Sequence, residues 1–219
     1  MKKINWKVLI ITSILCLLPI LVGVYYYDAL PNEVPIHFNI NNEPDNYGSK
    51  EFAIFGLPII MVVVQIFCCV VCDIGNKEQK KYKLIAVSKW IIPIITIVIY
   101  ITTIGFALGY NIDIRRVSCL CVGLVFILIG NYFPKTDQKV AFRTGIHLHD
   151  IYLAKLDEKN YRKIARLTGY TFMISGILMI ISLFFKPIFT VIVLVLVILV
   201  SIIITIYAFV LAKKNNKEE

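Results

Sequence analysis

Charged residues are scarce in this chain of 219 residues, and those that occur are gathered in short clusters. They make up 17% of the sequence, whereas hydrophobic residues make up 58%, and the mean hydropathy is +0.78. A soluble domain is ordinarily about 45–50% apolar. This composition excludes an ordinary soluble domain and predicts one membrane domain without a separate soluble one.

Motifs for catalysis, metals and cofactors are also missing. The sequence has no Gly-x-x-x-x-Gly-Lys-[Ser/Thr] phosphate loop, no His-Glu-x-x-His metal motif and no Gly-x-Ser-x-Gly nucleophile turn. The pair His147 and His149 supplies too few ligands to close a metal site. Segment 39–45 resembles the start of a calcium loop, but Pro44 and Lys50 occupy the positions that require Gly and Glu. We interpret that segment as an irregular, turn-rich surface loop, and we expect no enzyme activity, no metal and no cofactor.

Cysteine is absent from the hydrophilic loops. All six cysteines lie in apolar segments or at their edges, so the sequence contains no framework of extracellular disulfides. Cys69 and Cys72 have the C-x-x-C spacing of a redox motif, but no βαβ pattern surrounds them. We therefore interpret the cysteines as small residues that pack between helices.

What the sequence contains is long apolar runs. Six of them approach the length of about 20 residues that crosses a bilayer, and Trp and Tyr residues lie at their ends, as is typical of the headgroup level. The predicted fold class is all-α, a polytopic membrane helix bundle of about six transmembrane helices. The predicted spans are Val8–Tyr27, Phe52–Cys72, Trp90–Tyr110, Val117–Phe133, Leu167–Phe185 and Ile188–Ala212.

Lys and Arg are distributed unequally between the two sides of this predicted bundle. With the N-terminus inside, 19 of the 23 fall on the inner side and four on the outer side. The positive-inside rule then predicts that the N-terminus and the C-terminus are both cytoplasmic. We attribute the net charge of +9 to topology and to contact with anionic membrane lipid, not to direct binding of nucleic acid.

Two regions can be distinguished along the chain. Residues 1–74 form a predicted N-terminal membrane hairpin whose outer loop, 28–51, is rich in Pro and Asn and has a net charge of −4. Residues 75–219 supply four spans and a long inner loop, 134–166, with a net charge of +4. We expect both regions to form one continuous membrane domain. The charges of Asp73–Lys89 are assigned to a second inner loop.

The end of the long inner loop predicts a helix that runs from Asp157 into the fifth span. Basic residues recur there at steps of three and four on one face, and apolar residues recur on another. The basic face either lies against lipid headgroups or docks an acidic cytosolic partner. The basic positions are Lys159, Arg162, Lys163 and Arg166, and the other face holds Tyr161, Ile164, Ala165 and Thr168.

Polar groups are few within the spans. No ionisable side chain lies at the middle of a span, and Gln65 is the most polar side chain within one. Such groups usually mark a transport path, because each costs about 2.5–3.5 kcal/mol at the helix centre. Their absence disfavours a transporter. Pro19, Pro58 and Pro93 lie within spans, and each predicts a kink in its helix. Gly105 and Gly109 permit close helix packing.

Two sets of motifs resemble a known family. The outer loop reads Leu30-Pro31-x-x-Val34-Pro35-Ile36-His37-Phe38, then Pro44-Asp45-x-Tyr47-Gly48-Ser49-Lys50, then Leu57-Pro58. The fourth span ends in Gly130-Asn131-Tyr132-Phe133-Pro134-Lys135-Thr136, and the following loop keeps Arg143, Thr144, Leu148 and Arg166 while differing from the family's pattern between them. In these motifs the chain resembles the SdpI family of bacterial membrane proteins, which confer immunity to a sporulation-delaying toxic peptide.

The resemblance implies a protein of the bacterial plasma membrane that protects the cell against a membrane-active peptide. It also implies a link to signal transduction, since such a membrane protein can hold a cytosolic transcriptional repressor. The candidate contacts in the outer loop are Pro31, Pro35, His37, Phe38 and Lys50. The candidates on the inner face are Asn131, Pro134, Arg143, Thr144 and Arg166.

Two alternatives remain open beside immunity. One is a membrane-anchored regulatory protein that binds a cytosolic partner through Pro134–Arg166 and senses no toxin. The other, which the lack of intramembrane charge disfavours, is a small transporter. Deleting the outer loop would leave a regulator functional, whereas it would abolish the protection that an immunity protein gives.

Overall fold

The apolar runs form helices in the computed structural model, which describes residues 4–75, 83–136 and 156–218. Among these residues, six helical segments are long and apolar enough to cross a membrane. Lipid offers no hydrogen bonds to the backbone, so each N–H and C=O must be bonded within its own segment, and a helix achieves this. The predicted helix bundle of about six spans is confirmed, and the cytoplasmic placement of the termini stays a prediction.

The elements follow the predicted spans in order. The first span is divided into two helices and is followed by two strands, and the second span begins as a π-helix. The bounds are α1 Trp6–Leu17, α2 Ile20–Tyr25, β1 Glu33–Phe38, β2 Pro44–Ser49, the π-helix Phe52–Gly56, α3 Leu57–Gly75, α4 Lys83–Ala107, α5 Ile114–Tyr132, a 3₁₀ turn Phe133–Lys135, α6 Glu158–Ser182 and α7 Pro187–Glu218.

The division of the first span occurs at Pro19, as predicted. Helix α1 closes with a hydrogen bond from the Leu18 N–H to the Ile14 carbonyl oxygen (3.0 Å). Pro19 has no N–H to continue the ladder, and α2 begins at the next residue.

The predicted outer loop is not irregular throughout, and this corrects the sequence analysis. Strands β1 and β2 pair antiparallel, with Glu33 opposite Ser49 and Phe38 opposite Pro44. The register shifts on either side of His37, which is the signature of a bulge. Segment 39–45, which the sequence analysis interpreted as irregular and turn-rich, holds the turn and the first two residues of β2. Val34 and Ile36 supply the β-branched positions that favour a strand in β1.

The chain divides into two compact units. The first comprises Met1–Asp73 with Ala86–Cys121, and the second comprises Ile74–Ile85 with Val122–Glu219. The predicted boundary between residues 74 and 75, and the single continuous membrane domain, both stay predictions.

The first unit has an apolar core below the hairpin of β1 and β2. Its buried members are Leu30, Ile54, Tyr100 and Ile104. The Tyr100 hydroxyl donates to the Ile54 carbonyl oxygen (3.3 Å), so the polar end of this buried ring is satisfied. A Cβ on Gly23 would lie 2.1 Å from that hydroxyl, so the missing side chain of Gly23 leaves the room that the Tyr100 hydroxyl occupies.

The charges assigned to a basic inner loop are partly buried within helices, which is a second correction. Asp73 lies inside α3 and Lys89 inside α4, and their side chains form an ion pair with 1% and 5% exposure respectively. The Asn5 backbone N–H donates to Asp73 Oδ2 (2.9 Å), and Gln65 Nε2 donates to the Lys89 carbonyl oxygen (2.8 Å). The predicted spans ended at these charges because charged residues lower the local hydropathy. The helices extend past them, and the two charges neutralise each other as a pair.

The second unit packs through glycine. A Cβ on Gly130 of α5 would lie 2.6 Å from the Gly169 carbonyl oxygen of α6. Seven residues later in α6 and seven residues earlier in α5, a Cβ on Gly176 would lie 2.5 Å from the Gly123 carbonyl oxygen. The two backbones therefore approach too closely for any side chain, as occurs where small residues line a membrane helix contact.

The predicted two-faced helix after Asp157 is confirmed in this unit. Tyr161, Ile164 and Ala165 are buried in a cluster with residues of α7, and the Tyr161 hydroxyl donates to the Thr136 carbonyl oxygen (2.9 Å). The four basic residues of the other face are all exposed. Helix α6 continues without interruption from this amphipathic turn into the apolar span.

Candidate functional site

The tip of the hairpin is organised by asparagine side chains. Asn39 Oδ1 accepts hydrogen bonds from the backbone N–H groups of Asn41 (2.9 Å) and Glu43 (3.0 Å). Asn42 has a positive φ of 65°, a conformation that Asn adopts at lower cost than most residues. The polar groups that resembled the start of a calcium loop are therefore engaged in building a turn.

The same tip is attached to the connection between α4 and α5. Asn42 Nδ2 donates to the Ile112 carbonyl oxygen (3.2 Å), and the Arg115 backbone N–H donates to Asn42 Oδ1 (3.2 Å). The first N–H groups of a helix have no partner within the helix, so Asn42 satisfies one of those of α5 from a distant part of the chain.

Charges beside this contact are neutralised locally. Asp113 accepts from the Arg115 guanidinium (3.0 Å) and from the Arg116 backbone N–H (2.9 Å). Burial alone would raise the pKa of the Asp113 carboxyl, but these hydrogen bonds and the two guanidinium charges hold the pKa below its usual value. The carboxylate therefore stays ionised next to the start of α5.

Two further contacts hold the hairpin, one beside the tip and one at the base. Phe38 packs edge to face on Phe106 of α4, with ring centroids 4.9 Å apart. The Lys50 ammonium lies 4.6 Å from the centroid of the Tyr27 ring. The Tyr27 hydroxyl donates to Glu51 Oε1 (2.7 Å), which raises the pKa of Tyr27 and lowers the pKa of Glu51. The hairpin is thus attached at its tip, at Phe38 beside the tip and at its base.

The outward face of the hairpin is acidic. Asp28, Glu33, Glu43, Asp45 and Glu51 are all exposed. His37 is 67% exposed and lies 2.5 Å from Asp45, Nδ1 to Oδ1. Neither the Asp28 nor the Glu33 side chain forms an ion pair or hydrogen bond within the described part of the chain. Their carboxylates are therefore available to an approaching cation.

An apolar groove lies between α3 and α4 in the same unit. Its volume is about 340 Å³, and its lining includes Ile36 of β1, Leu57 and Met61 of α3, and Ile99 and Thr103 of α4. Binding pockets for small ligands have volumes of about 300–1,000 Å³. This volume is large enough to take several apolar groups.

Two of the three polar side chains that line the groove, those of Thr96 and Tyr100, turn back to the backbone. The Thr96 hydroxyl donates to the Ile92 carbonyl oxygen (2.8 Å), and the Tyr100 hydroxyl donates to the Ile54 carbonyl oxygen (3.3 Å). A ligand that needs hydrogen bonds would gain little from these groups, because they are already satisfied. The groove is suited to an apolar group.

The structure separates the predicted outer contacts. Pro31 and His37 are exposed, whereas Pro35 is buried. Phe38 faces α4, and Lys50 is half-buried against Tyr27. Their roles as contacts stay predictions. Of the five, His37 and Pro31 present the most surface, and Phe38 and Lys50 attach the hairpin to the helices.

The predicted inner residues are placed in part. Asn131 Oδ1 accepts from the Lys135 ammonium (2.9 Å), and the Pro134 ring lies against Gly169 of α6. Arg166 is exposed one turn before Gly169. Arg143 and Thr144 lie outside the described residues. The inner-face role of all five stays a prediction.

Several residues of this region were not identified from the sequence. Asn42, Tyr100 and the groove residues of α4 carry no motif, because their importance depends on partners far along the chain. Ile36 could have been found, since Val34, Ile36 and Phe38 alternate with period two as in a strand with one packed face. In the described segments no three His, Cys, Asp or Glu side chains are placed to hold a metal ion.

Comparison with known proteins supports the sequence motifs. A family model described as Domain of unknown function (DUF1648) matches residues 14–62, which include the hairpin and the start of the second span. Immunity protein SdpI of Bacillus subtilis (strain 168) is 26% identical over 163 residues, which are 74% of this chain and 77% of that protein. No solved structure matches the chain. Together with the six apolar helices, these similarities confirm the predicted resemblance to the SdpI family and the location of the chain in a bacterial membrane as a multi-pass protein.

Proposed function

We propose that this chain is an SdpI-like immunity protein that protects the cell against a membrane-active peptide. The observation that carries the proposal is the hairpin of β1 and β2, which is attached to the helices at three places and presents an acidic face. It lies within the residues that the family model matches. A fixed surface loop with unpaired carboxylates is more typical of recognition than of a simple connection between two spans.

A toxic peptide is the partner that this geometry supports on the predicted outer side. Exposed carboxylates attract cationic groups from solution and increase the encounter rate. His37 adds an exposed side chain of the predicted contact set, and its position beside Asp45 fixes its ring at the surface of the bulge. Recognition would then take place before the peptide reaches the lipid core.

The test is survival of a toxin-sensitive bacterium that expresses the chain and is challenged with purified sporulation-delaying peptide. We expect protection by the unchanged chain and loss of most of it when His37→Ala and Lys50→Ala are combined. Lys186→Ala is the matched control, because it removes an exposed cation of another predicted outer loop. Full protection by the double variant, at equal abundance in the membrane, would remove these two residues from the site.

A second candidate function is supported by the exposed basic face of α6. The side chains of Lys159 and Arg166 form no ion pair or hydrogen bond with another described residue. The sequence predicts that both face the cytoplasm. A membrane-anchored regulator could bind an acidic surface of a transcriptional repressor here, with or without toxin. Expression of a repressor-controlled reporter separates the two functions. Lys159→Gln with Arg166→Gln would change the reporter under the regulator hypothesis and leave survival unchanged.

A further inference from the structure

The groove between α3 and α4 is lined by apolar side chains and is not filled by any side chain of the described residues. It is bounded by Ile36 of the hairpin, by the N-terminal half of α3 and by α4 from Ile95 to Ile104. The helix that begins one wall is irregular, because the π-helix Phe52–Gly56 precedes Pro58. Such single π turns are frequent at functional sites. The irregularity places Ala53 at the groove, where a larger side chain would reduce its volume.

We propose that this groove binds the apolar segment of a cationic peptide, with the acidic face of the hairpin holding the cationic end. The inference rests on the proposed immunity function and specifies where and how the peptide is held. Peptides that disturb membranes combine apolar and cationic residues. Both parts of the site include a residue of β1, since Ile36 lines the groove and the exposed Glu33 belongs to the same strand.

Charge decides between a peptide and a lipid as the occupant. The segment 28–51 has a net charge of −4, and the exposed carboxylates of Asp28 and Glu33 are unpaired among the described residues. A phospholipid that placed an acyl chain in the groove would bring its phosphate towards these carboxylates, which is unfavourable. A peptide with Lys or Arg beside its apolar segment would gain from the same charges.

The apolar part of the site favours a segment whose own polar groups are satisfied. Thr96 and Tyr100 already donate to backbone carbonyl oxygens. A peptide backbone that enters lipid must bond to itself, as it does in a helix. A helical segment would insert two or three large side chains between α3 and α4, in the manner of a helix bound in a groove.

The experiment is photo-crosslinking in vesicles of phosphatidylglycerol and phosphatidylethanolamine that contain the full chain. A benzophenone amino acid replaces Met61 in the groove, or Val63 as the control, which is 62% exposed on the same helix. The probes are two synthetic peptides with the same apolar centre, one flanked by Lys and the other by Glu. We expect the Lys-flanked peptide to form about tenfold more adduct at Met61 than at Val63, which corresponds to about 1.4 kcal/mol.

Two further variants test the two parts of the site. Thr103→Phe fills the groove and is expected to lower the Met61 adduct by about tenfold, which corresponds to about 1.4 kcal/mol, while Ile101→Phe on the lipid-exposed side leaves it unchanged. If Thr103→Phe fails to purify as a folded protein, Thr103→Leu replaces it. Asp28→Asn with Glu33→Gln should remove the preference for Lys flanks, and added salt should have the same effect because it screens exposed charges.

The outcomes separate this proposal from the immunity function. Equal adducts at Met61 and Val63, or adducts with lipid alone, would overturn the groove as a peptide site even if the chain protects cells. A strong adduct with the Lys-flanked peptide at Met61 would support the groove even if cells expressing the chain die when challenged with the sporulation-delaying peptide. In that case the immunity function against that peptide would be wrong and the binding site would stand.

Discussion

Each of the two units of the chain is stabilised internally by a different kind of contact. In the first unit, contacts between polar groups join residues that are far apart in sequence, such as Asn5 with Asp73 and Asn42 with Arg115. In the second unit, α5 and α6 meet where glycines allow the backbones to touch. Specific bonds fix directions and distances, whereas close packing fixes only the approach of two surfaces. The unit with the candidate site is the one whose geometry is specified by bonds.

The difference is one of emphasis, since the second unit also has polar contacts. The Ser182 and Thr190 hydroxyls lie 2.8 Å apart between the ends of α6 and α7. The Lys163 ammonium donates to the Tyr207 hydroxyl (2.7 Å), and both contacts join the neighbouring helices α6 and α7. The long-range links of the first unit instead connect the N-terminus, three spans and the hairpin. A defect there should therefore affect several elements at once.

The largest expected effect comes from breaking the buried ion pair. Changing Lys89→Met, or Asp73→Leu, leaves an uncompensated buried charge and should lower the free energy of unfolding by about 3–5 kcal/mol. Changing both residues should restore much of the loss, because two apolar side chains replace two charges. The measurement is unfolding of the purified protein in mixed micelles with increasing dodecyl sulfate.

Lys83→Met is the matched control for that experiment. It removes an exposed Lys from the start of the same helix and should change the free energy of unfolding by less than about 0.5 kcal/mol. If the double variant were as unstable as the sum of the two single variants, the two charges would not act as a pair.

Substituting a glycine at the α5–α6 contact should give the next largest decrease in the free energy of unfolding. Gly130→Ala places a Cβ 2.6 Å from the Gly169 carbonyl oxygen and from the Met173 nitrogen, and these backbone atoms cannot rotate away. Overpacking of this kind costs about 1–3 kcal/mol of unfolding free energy. Gly105→Ala is the matched comparison, because its nearest neighbour is the flexible Cδ1 of Ile112 at 2.8 Å. Equal losses in the two variants would show that the α5–α6 contact has no special role.

The smallest effect is expected at the tip of the hairpin. Asn42→Ala removes both of its bonds to the α4–α5 connection and disfavours the positive φ. Losing a helix cap costs about 0.5–2 kcal/mol, and we expect this loss to be local. Hydrogen exchange should become faster in β1, β2 and the first turn of α5 while the second unit stays unchanged.

Asn42→Gly and Asn41→Ala complete the test of the tip. Asn42→Gly keeps the positive φ accessible but removes the side-chain bonds, so it should have most of the effect of Asn42→Ala. Asn41→Ala leaves the side-chain bonds of Asn42 intact and should change little. Rapid exchange throughout the chain in Asn42→Ala would mean that the hairpin contributes to global stability rather than to the shape of the site.

Much of the fold follows from the sequence because lipid imposes a simple rule. Apolar runs of sufficient length must become helices, and six of them were placed close to their observed positions. The amphipathic start of α6 was also predicted correctly, since its basic and buried residues alternate with the period of a helix. Local periodicity was sufficient in both cases.

The candidate site was less accessible to the same reasoning. The two strands of the hairpin were not predicted, because only segment 39–45 was interpreted, as an irregular and turn-rich loop, and the outer loop was assigned no strand. Asp73 and Lys89 were assigned to a loop because each charge was considered alone. Gly105 and Gly109 were noted for helix packing, yet Gly109 has a positive φ just beyond the end of α4, and the close approach of α5 and α6 involves four other glycines.

The sequence by itself determined the number of spans, the fold class and the resemblance to the SdpI family, because each depends on the length, polarity and order of neighbouring residues. Only the tertiary structure decided which polar groups are paired, where glycine permits backbone contact and that a groove lies below an acidic hairpin. Those features depend on residues such as Asn5 and Asp73, which are 68 positions apart. A contact over that distance is set by the packing of whole helices, and no local pattern encodes it.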